Sequence, residues 1–103
     1  MPRSKTLITA PLVRVSRTTL DPGEAIEWHH HSVVEDSFFT LTGTISTRDP
    51  NGRHTLAAGE AFRVPTGTTH RVSNESGAPV EYLLVQHGGQ FDFHEDQTPQ
   101  SSP

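Results

Sequence analysis

The chain has no cysteine. That absence excludes a disulfide framework, a thiolate nucleophile and a thiolate metal site. No run approaches the ~18 apolar residues that a membrane-spanning helix needs. The N-terminus lacks the apolar core of a signal peptide, so a cytoplasmic protein is expected. Basic residues are few: 8 Lys and Arg stand against 12 Asp and Glu, a formal charge of −4. That balance argues against a general nucleic-acid or anionic-membrane surface, and neither partner is expected. Nowhere do apolar residues recur at helical spacing for two full turns. Also missing are the Gly-x-Ser-x-Gly elbow, the phosphate-binding Gly-x-x-x-x-Gly-Lys loop and the dinucleotide fingerprint.

What the chain does have is turns and short strand-like runs. Gly and Pro supply 8 residues each among 103. A chain of this length forms one domain that buries roughly 60–65% of its unfolded surface. Runs rich in Val, Thr and Phe predict strands over Leu12 to Leu20, Ile26 to His31, Ser37 to Thr47, Arg53 to Leu56, Ala61 to Val64, His70 to Asn74 and Val80 to Gln86. Asp21-Pro22-Gly23 and Pro65-Thr66-Gly67 are tight turns. Asp49-Pro50-Asn51-Gly52 is the clearest hairpin connection, expected to be longer than a two-residue loop. Gly43 lies within the longest strand and permits a bend or bulge there. Many short antiparallel strands in so small a chain imply an all-β barrel or sandwich. Residues 1–10 are expected to form an N-terminal arm, 11–88 the barrel domain, and 89–103 a partly disordered tail. Phe91 and Phe93 stand out in that tail, as an edge strand, a cover over a partner chain, or two stray aromatics.

Two spaced blocks carry the chemistry. The first is Gly23-x5-His29-x-His31-x4-Asp36-x6-Gly43, and the second is Gly59-x5-Pro65-x-Gly67-x2-His70-x3-Asn74. His-x-His on a strand puts both imidazoles on one face, because side chains alternate with period two. Two such imidazoles, a nearby carboxylate and a third His from elsewhere make the ligand set of a mononuclear divalent metal site. The pair of blocks resembles the two motifs of the cupin superfamily. The second block matches that pattern at every fixed position, and the first departs from it only in having Asp36 where the family usually has Glu. The resemblance implies a cupin-type jelly-roll β-barrel in a single domain.

It also implies metal ligands at His29, His31 and His70, with Asp36 as the fourth. Glu35 is the alternative, although its side chain would face outward on a regular strand, and a site of three His plus waters stays open. Neutral imidazole suits Fe, Zn, Cu and Ni, and a carboxylate extends the set to Mn. One divalent transition metal per chain (Fe, Mn, Ni or Zn) is therefore expected. Parity turns Phe38, Thr40, Val72 and Asn74 inward, and in the usual register Phe62 and Val64 as well. Phe38, Thr40, Phe62, Val64 and Val72 would then line a small pocket. Trp28, His30, Arg71 and Ser73 are turned outward. Arg14, Arg17, Arg63 and Arg71 read as solvated faces, His54 as a solvated loop residue, and His87 and His94 as residues beyond the last strand that could sit over the barrel mouth. Asn74 reads as a strand-end hydrogen bonder, and Tyr82 is a candidate proton donor. Phe39, Leu41 and Ile45 would form an outward apolar stripe needing a cover, and the family resemblance implies a homodimer. A metal-dependent enzyme acting on a small organic molecule is expected, by dioxygenase-type or Lewis-acid isomerase, lyase or hydrolase chemistry. The rivals are a non-catalytic small-molecule binder and a barrel whose metal is only structural.

Overall fold

Each Pro- and Gly-bearing turn reverses the chain, and the runs between them pair side by side. A computed structural model describes residues 2–98. Its strands are β1 (Arg3–Ala10), β2 (Val13–Leu20), β3 (Ala25–His30), β4 (Glu35–Thr42), β5 (Thr44–Asp49), β6 (Gly52–Ala57), β7 (Ala61–Val64), β8 (His70–Ser73), β9 (Val80–His87) and β10 (His94–Glu95). There is no helix among the described residues. One antiparallel sheet runs β1-β2-β9-β4-β7 and the other β10-β3-β8-β5-β6. Among the described residues no hydrogen-bonded ladder joins the two sheets, so the jelly roll is an open barrel.

Inward parity builds the core. Leu20 of β2, Phe38 of β4, Ile45 of β5, Leu56 of β6, Val64 of β7, Val72 of β8, and Val80 and Tyr82 of β9 form one buried cluster. At the end of the barrel nearest the histidines, polar residues take the same inward positions. Arg14 is opposite Gln86, and Gln86 is opposite Asp36, in one row across three strands. Asn74 closes the other end. Its amide donates to the carbonyls of Leu20 and Ala78 at 2.9 and 2.8 Å, and its oxygen accepts from the backbone N–H of Ser76 at 2.9 Å.

Several expectations need correction. The Ser37–Thr47 run is two strands in different sheets, β4 and β5, and Gly43 hands the chain from one to the other with φ of 78°. Ile45 is therefore fully buried, while Phe39 and Leu41 stay exposed. A Cβ at Gly43 would lie 2.9 Å from the carbonyl oxygen of Pro79. Gly43→Ala thus combines an unfavourable backbone angle with a backbone clash, and it is expected to cost about 2–3 kcal/mol. Urea denaturation checks this; a midpoint within error of wild type would refute it.

The expected arm is largely a strand: β1 pairs along β2, although every one of its residues is exposed. In the 49–52 hairpin, Asp49 pairs with Gly52, leaving a two-residue Pro50-Asn51 loop. The Asp49 carboxylate accepts the Asn51 N–H at 2.8 Å, which holds that tighter turn. Ser73 lies on the outer face yet is buried, because Arg53 and Glu75 pair at 3.4 Å and bond the neighbouring Ser46 and Ser73. His54 lies on β6 and not in a loop. Of the tail, residues 99–103 lie outside the described residues.

Candidate metal site and its cover

Four side chains converge at the polar end of the barrel. His29 comes from β3 and His31 follows that strand; His70 opens β8 opposite His29, and Asp36 lies near the start of β4. Each can offer one ligand atom, and those atoms all lie within 4.8 Å of one another. All four residues are buried, at 1–4% exposure.

Backbone carbonyls orient the three rings. The Nδ1–H of His29 donates to Glu27 O at 2.7 Å, that of His70 to Thr68 O at 2.8 Å, and that of His31 to Asp92 O. This pattern leaves each Nε2 lone pair facing the centre, the state a metal ligand requires. The Nε2 atoms of His31 and His70 also lie 3.2 and 3.1 Å from Asp36 Oδ2. Lone pairs aimed at a carboxylate repel unless a cation sits among them, either a proton or a metal. The donor set of three imidazoles and one carboxylate fits a divalent transition metal.

Protonation follows the same geometry. Burial opposes the charged form of His31, but the Asp36 carboxylate and the Asp92 carbonyl outweigh it and raise its pKa. Among the described residues His29 has no carboxylate hydrogen-bonded to it; burial, followed by repulsion from His70, outweighs the Glu27 carbonyl and lowers it to about 4. Burial works against the Asp36 carboxylate too, yet hydrogen bonds from His31 and His70 carry it well below the usual carboxylate range. Glu35 stands outside the cluster, 3.3 Å from Arg63 and 3.6 Å from His87.

Of the residues expected to line a pocket, Phe38, Thr40, Val64 and Val72 are buried in the barrel beneath the histidines. Phe62 is on the edge strand β7, half-buried, with its ring 4.4 Å from that of His54. Parity places the four buried side chains inside, where they pack as part of the barrel interior. A cavity of about 140 Å³ opens on the β2–β9 side of His29 and His31, bordered by Arg14, Thr18, Tyr82 and Gln86. Tyr82 is almost wholly enclosed, and burial pushes its phenol pKa up, so it stays protonated there.

Two features are not read from the sequence. Gln86 donates to Asp36 Oδ1 at 3.0 Å, with its amide nitrogen 3.4 Å from His31 Nε2. Its inward parity with Tyr82 is the available signal. The second is the tail, which straps over the site. Phe93 stacks on His29 at 4.4 Å and Phe91 lies 5.2 Å from His31. The Ser32 N–H and hydroxyl both donate to the Asp92 carboxylate, pulling it below its usual pKa. Asp96 accepts from His30 Nδ1 at 2.9 Å and from Thr69 at 3.0 Å. β10 adds the strap to the edge of β3. His94 stacks on His30, outside the cluster, and His87 is exposed beside Glu35.

Comparison with known proteins agrees with this architecture. Residues 16–86 match a family model described as "Cupin domain". The xanthan biosynthesis protein XanB of Xanthomonas campestris is 29% identical over 77 residues, covering 73% of this chain and 16% of that protein. A mannose-1-phosphate guanylyltransferase of Klebsiella pneumoniae is 28% identical over 84% of this chain and 18% of its own length. The chain thus spans under a fifth of these curated relatives. Among solved structures, the protein TT1209 from Thermus thermophilus superposes with a TM-score of 0.80 at 26% identity, over 84% of this chain and 83% of that one.

Proposed function

The chain belongs to the cupin domain family, and on that premise we propose that it is a metal-dependent enzyme acting on a small organic molecule. The observation that carries this reading is the convergence of three Nε2 lone pairs and one carboxylate beside a cavity. His29, His31, His70 and Asp36 would hold one divalent ion. Such an ion supplies Lewis acidity and, if it is iron, redox capacity.

The rest of the work falls to the chain's own residues. Gln86 holds Asp36 Oδ1 and so aims Oδ2 at the imidazoles. Phe91 and Phe93 exclude water from His29 and His31. The polar groups around the cavity are hydroxyls, an amide and a guanidinium, besides the two histidines already placed as ligands. None is a general base at neutral pH, and Tyr82 keeps its proton. Chemistry that needs a separate side-chain base is therefore disfavoured against a dioxygenase-type reaction, in which dioxygen is the co-substrate.

A second reading rests on the burial of all four ligand residues: closed sites are the usual form of structural metals. Elemental analysis of untagged protein, with chelator removal and iron(II) reloading, separates the two. The enzyme reading expects about one equivalent of metal and oxygen uptake with some member of a panel of small enols, diols and organic acids. Uptake should cease on chelation and return on reloading. Metal whose removal lowers only the melting temperature, with no uptake across the panel, would favour the structural reading. No metal even after reconstitution would overturn both.

A further inference from the structure

Arg3, Arg17, Arg53, Arg63 and Arg71 each meet a carboxylate. Arg14 does not. Among the described residues its guanidinium makes no hydrogen bond and no ion pair; its one contact of this kind is the face of Phe91, 4.4 Å from the ring centroid. It is half-buried and borders the 140 Å³ cavity that also reaches His29 and His31. No Asp or Glu borders that cavity, although the chain as a whole is acidic. A second cavity of about 300 Å³ shares Arg14, Gln86 and Phe91 with the first.

The register explains the placement. Arg14 stands in the inward row with Gln86 and Asp36, two strands from the metal-facing carboxylate, or about 10 Å at ordinary strand spacing. A half-buried guanidinium with no anion is incompletely compensated, and the aromatic face beneath it restricts the fork it presents. A planar guanidinium matches a carboxylate in both charge and geometry, through two parallel N–H···O bonds. Among the described residues Arg14 is the one arginine or lysine on the lining of this cavity, so a singly charged carboxylate matches it more closely than a phosphate dianion.

We infer that Arg14 is a substrate-binding residue, and that the cavity takes a small carboxylic acid whose carboxylate lies on Arg14 and whose other end points toward His29 and His31. The second half rests on the metal-site reading above; the first does not. A carboxylate held by Arg14 leaves the remote oxygen or carbon of a short acid in reach of the histidine cluster. Gln86 and Phe91, shared by both cavities, then flank the acid along its length.

The test is calorimetric titration of the full chain with pyruvate and with pyruvamide, which share a shape and differ in charge. Pyruvate is expected to bind at least about tenfold more tightly, the size of one charge-assisted hydrogen bond. Arg14→Met keeps an unbranched stem against Phe91 and should abolish that preference without changing metal content. Arg14→Gln carries the same test should the first variant not fold. Arg17→Met, altering an exposed arginine paired with Glu81, should leave the preference intact. Equal affinities in wild type, no binding of either probe, or a preference that survives both Arg14 variants would overturn the inference. So would tighter binding of inorganic phosphate than of pyruvate. An Arg14-dependent preference in a chain that holds no metal would sustain the carboxylate subsite while overturning the metal reading.

Discussion

Replacing either His29 or His70 with alanine is expected to weaken metal binding, and replacing His70 is expected to cost the metal-free fold more than replacing His29. The contrast comes from Asp36. A structural zinc site contributes about 10–16 kcal/mol, so each of four ligands is worth about 3 kcal/mol, or about a hundredfold in affinity. Both substitutions should show that loss in competition against a chromogenic chelator. His29, however, makes no hydrogen bond to Asp36, while His70 Nε2 lies 3.1 Å from its Oδ2. Removing His70 deprives a buried carboxylate of one of its two imidazole partners, which costs about 3 kcal/mol or more. For a domain of this size that lowers the melting temperature of the metal-free protein by about 15 °C. Equal melting temperatures for the two metal-free variants would show that Asp36 does not depend on His70 for its burial.

Ending the chain at Gly89 is expected to weaken metal binding by about tenfold to a hundredfold while leaving the barrel folded. The strap supplies the carbonyl of Asp92 that accepts His31 Nδ1–H, and loss of such an outer partner typically has this effect. It also supplies Phe91 and Phe93, so the metal should leave faster once they are gone. The core cluster contains no residue beyond Tyr82, and β10 pairs at two positions only. Melting of the metal-free protein should therefore change little. Stopped-flow release into a chelator measures the rate; an unchanged rate and affinity would mean that the strap packs on the site without shaping it. Phe91→Ala/Phe93→Ala separates the two contributions, since it keeps the Asp92 carbonyl and removes only the cover.

The two strongest signals in the sequence are periodic ones. Period two turns His29 and His31 to one face and Asp36 inward ahead of Glu35, and the structure brings the first three together with His70. Parity fails as a guide where the chain changes sheets. Ile45 follows Phe39 and Leu41 in strand phase, but Gly43 resets the phase and buries it. Elsewhere it holds: Phe38, Val64 and Val72 face inward and belong to the core cluster. Arg14 reads as one of several solvated arginines, since sequence does not show which of them find a carboxylate. The strap is the least visible element. Phe91 and Phe93 owe their positions to rings sixty residues earlier, and nothing local in a polar tail encodes a distant contact.

All three imidazoles are oriented by main-chain oxygen, from Glu27, Thr68 and Asp92. A side chain in that role could be lost by one base change, whereas a peptide carbonyl persists through any substitution that keeps the backbone path. The carbonyls themselves do not depend on side-chain identity, although the Asp92 carboxylate also ties the strap to Ser32 and Glu27 pairs with Arg71. Mutational drift can remodel the rim and the ligand preference of such a site without disturbing the tautomers at its centre. Within this chain, the heritable constraint falls on the ligands themselves and on the turns that set the backbone course.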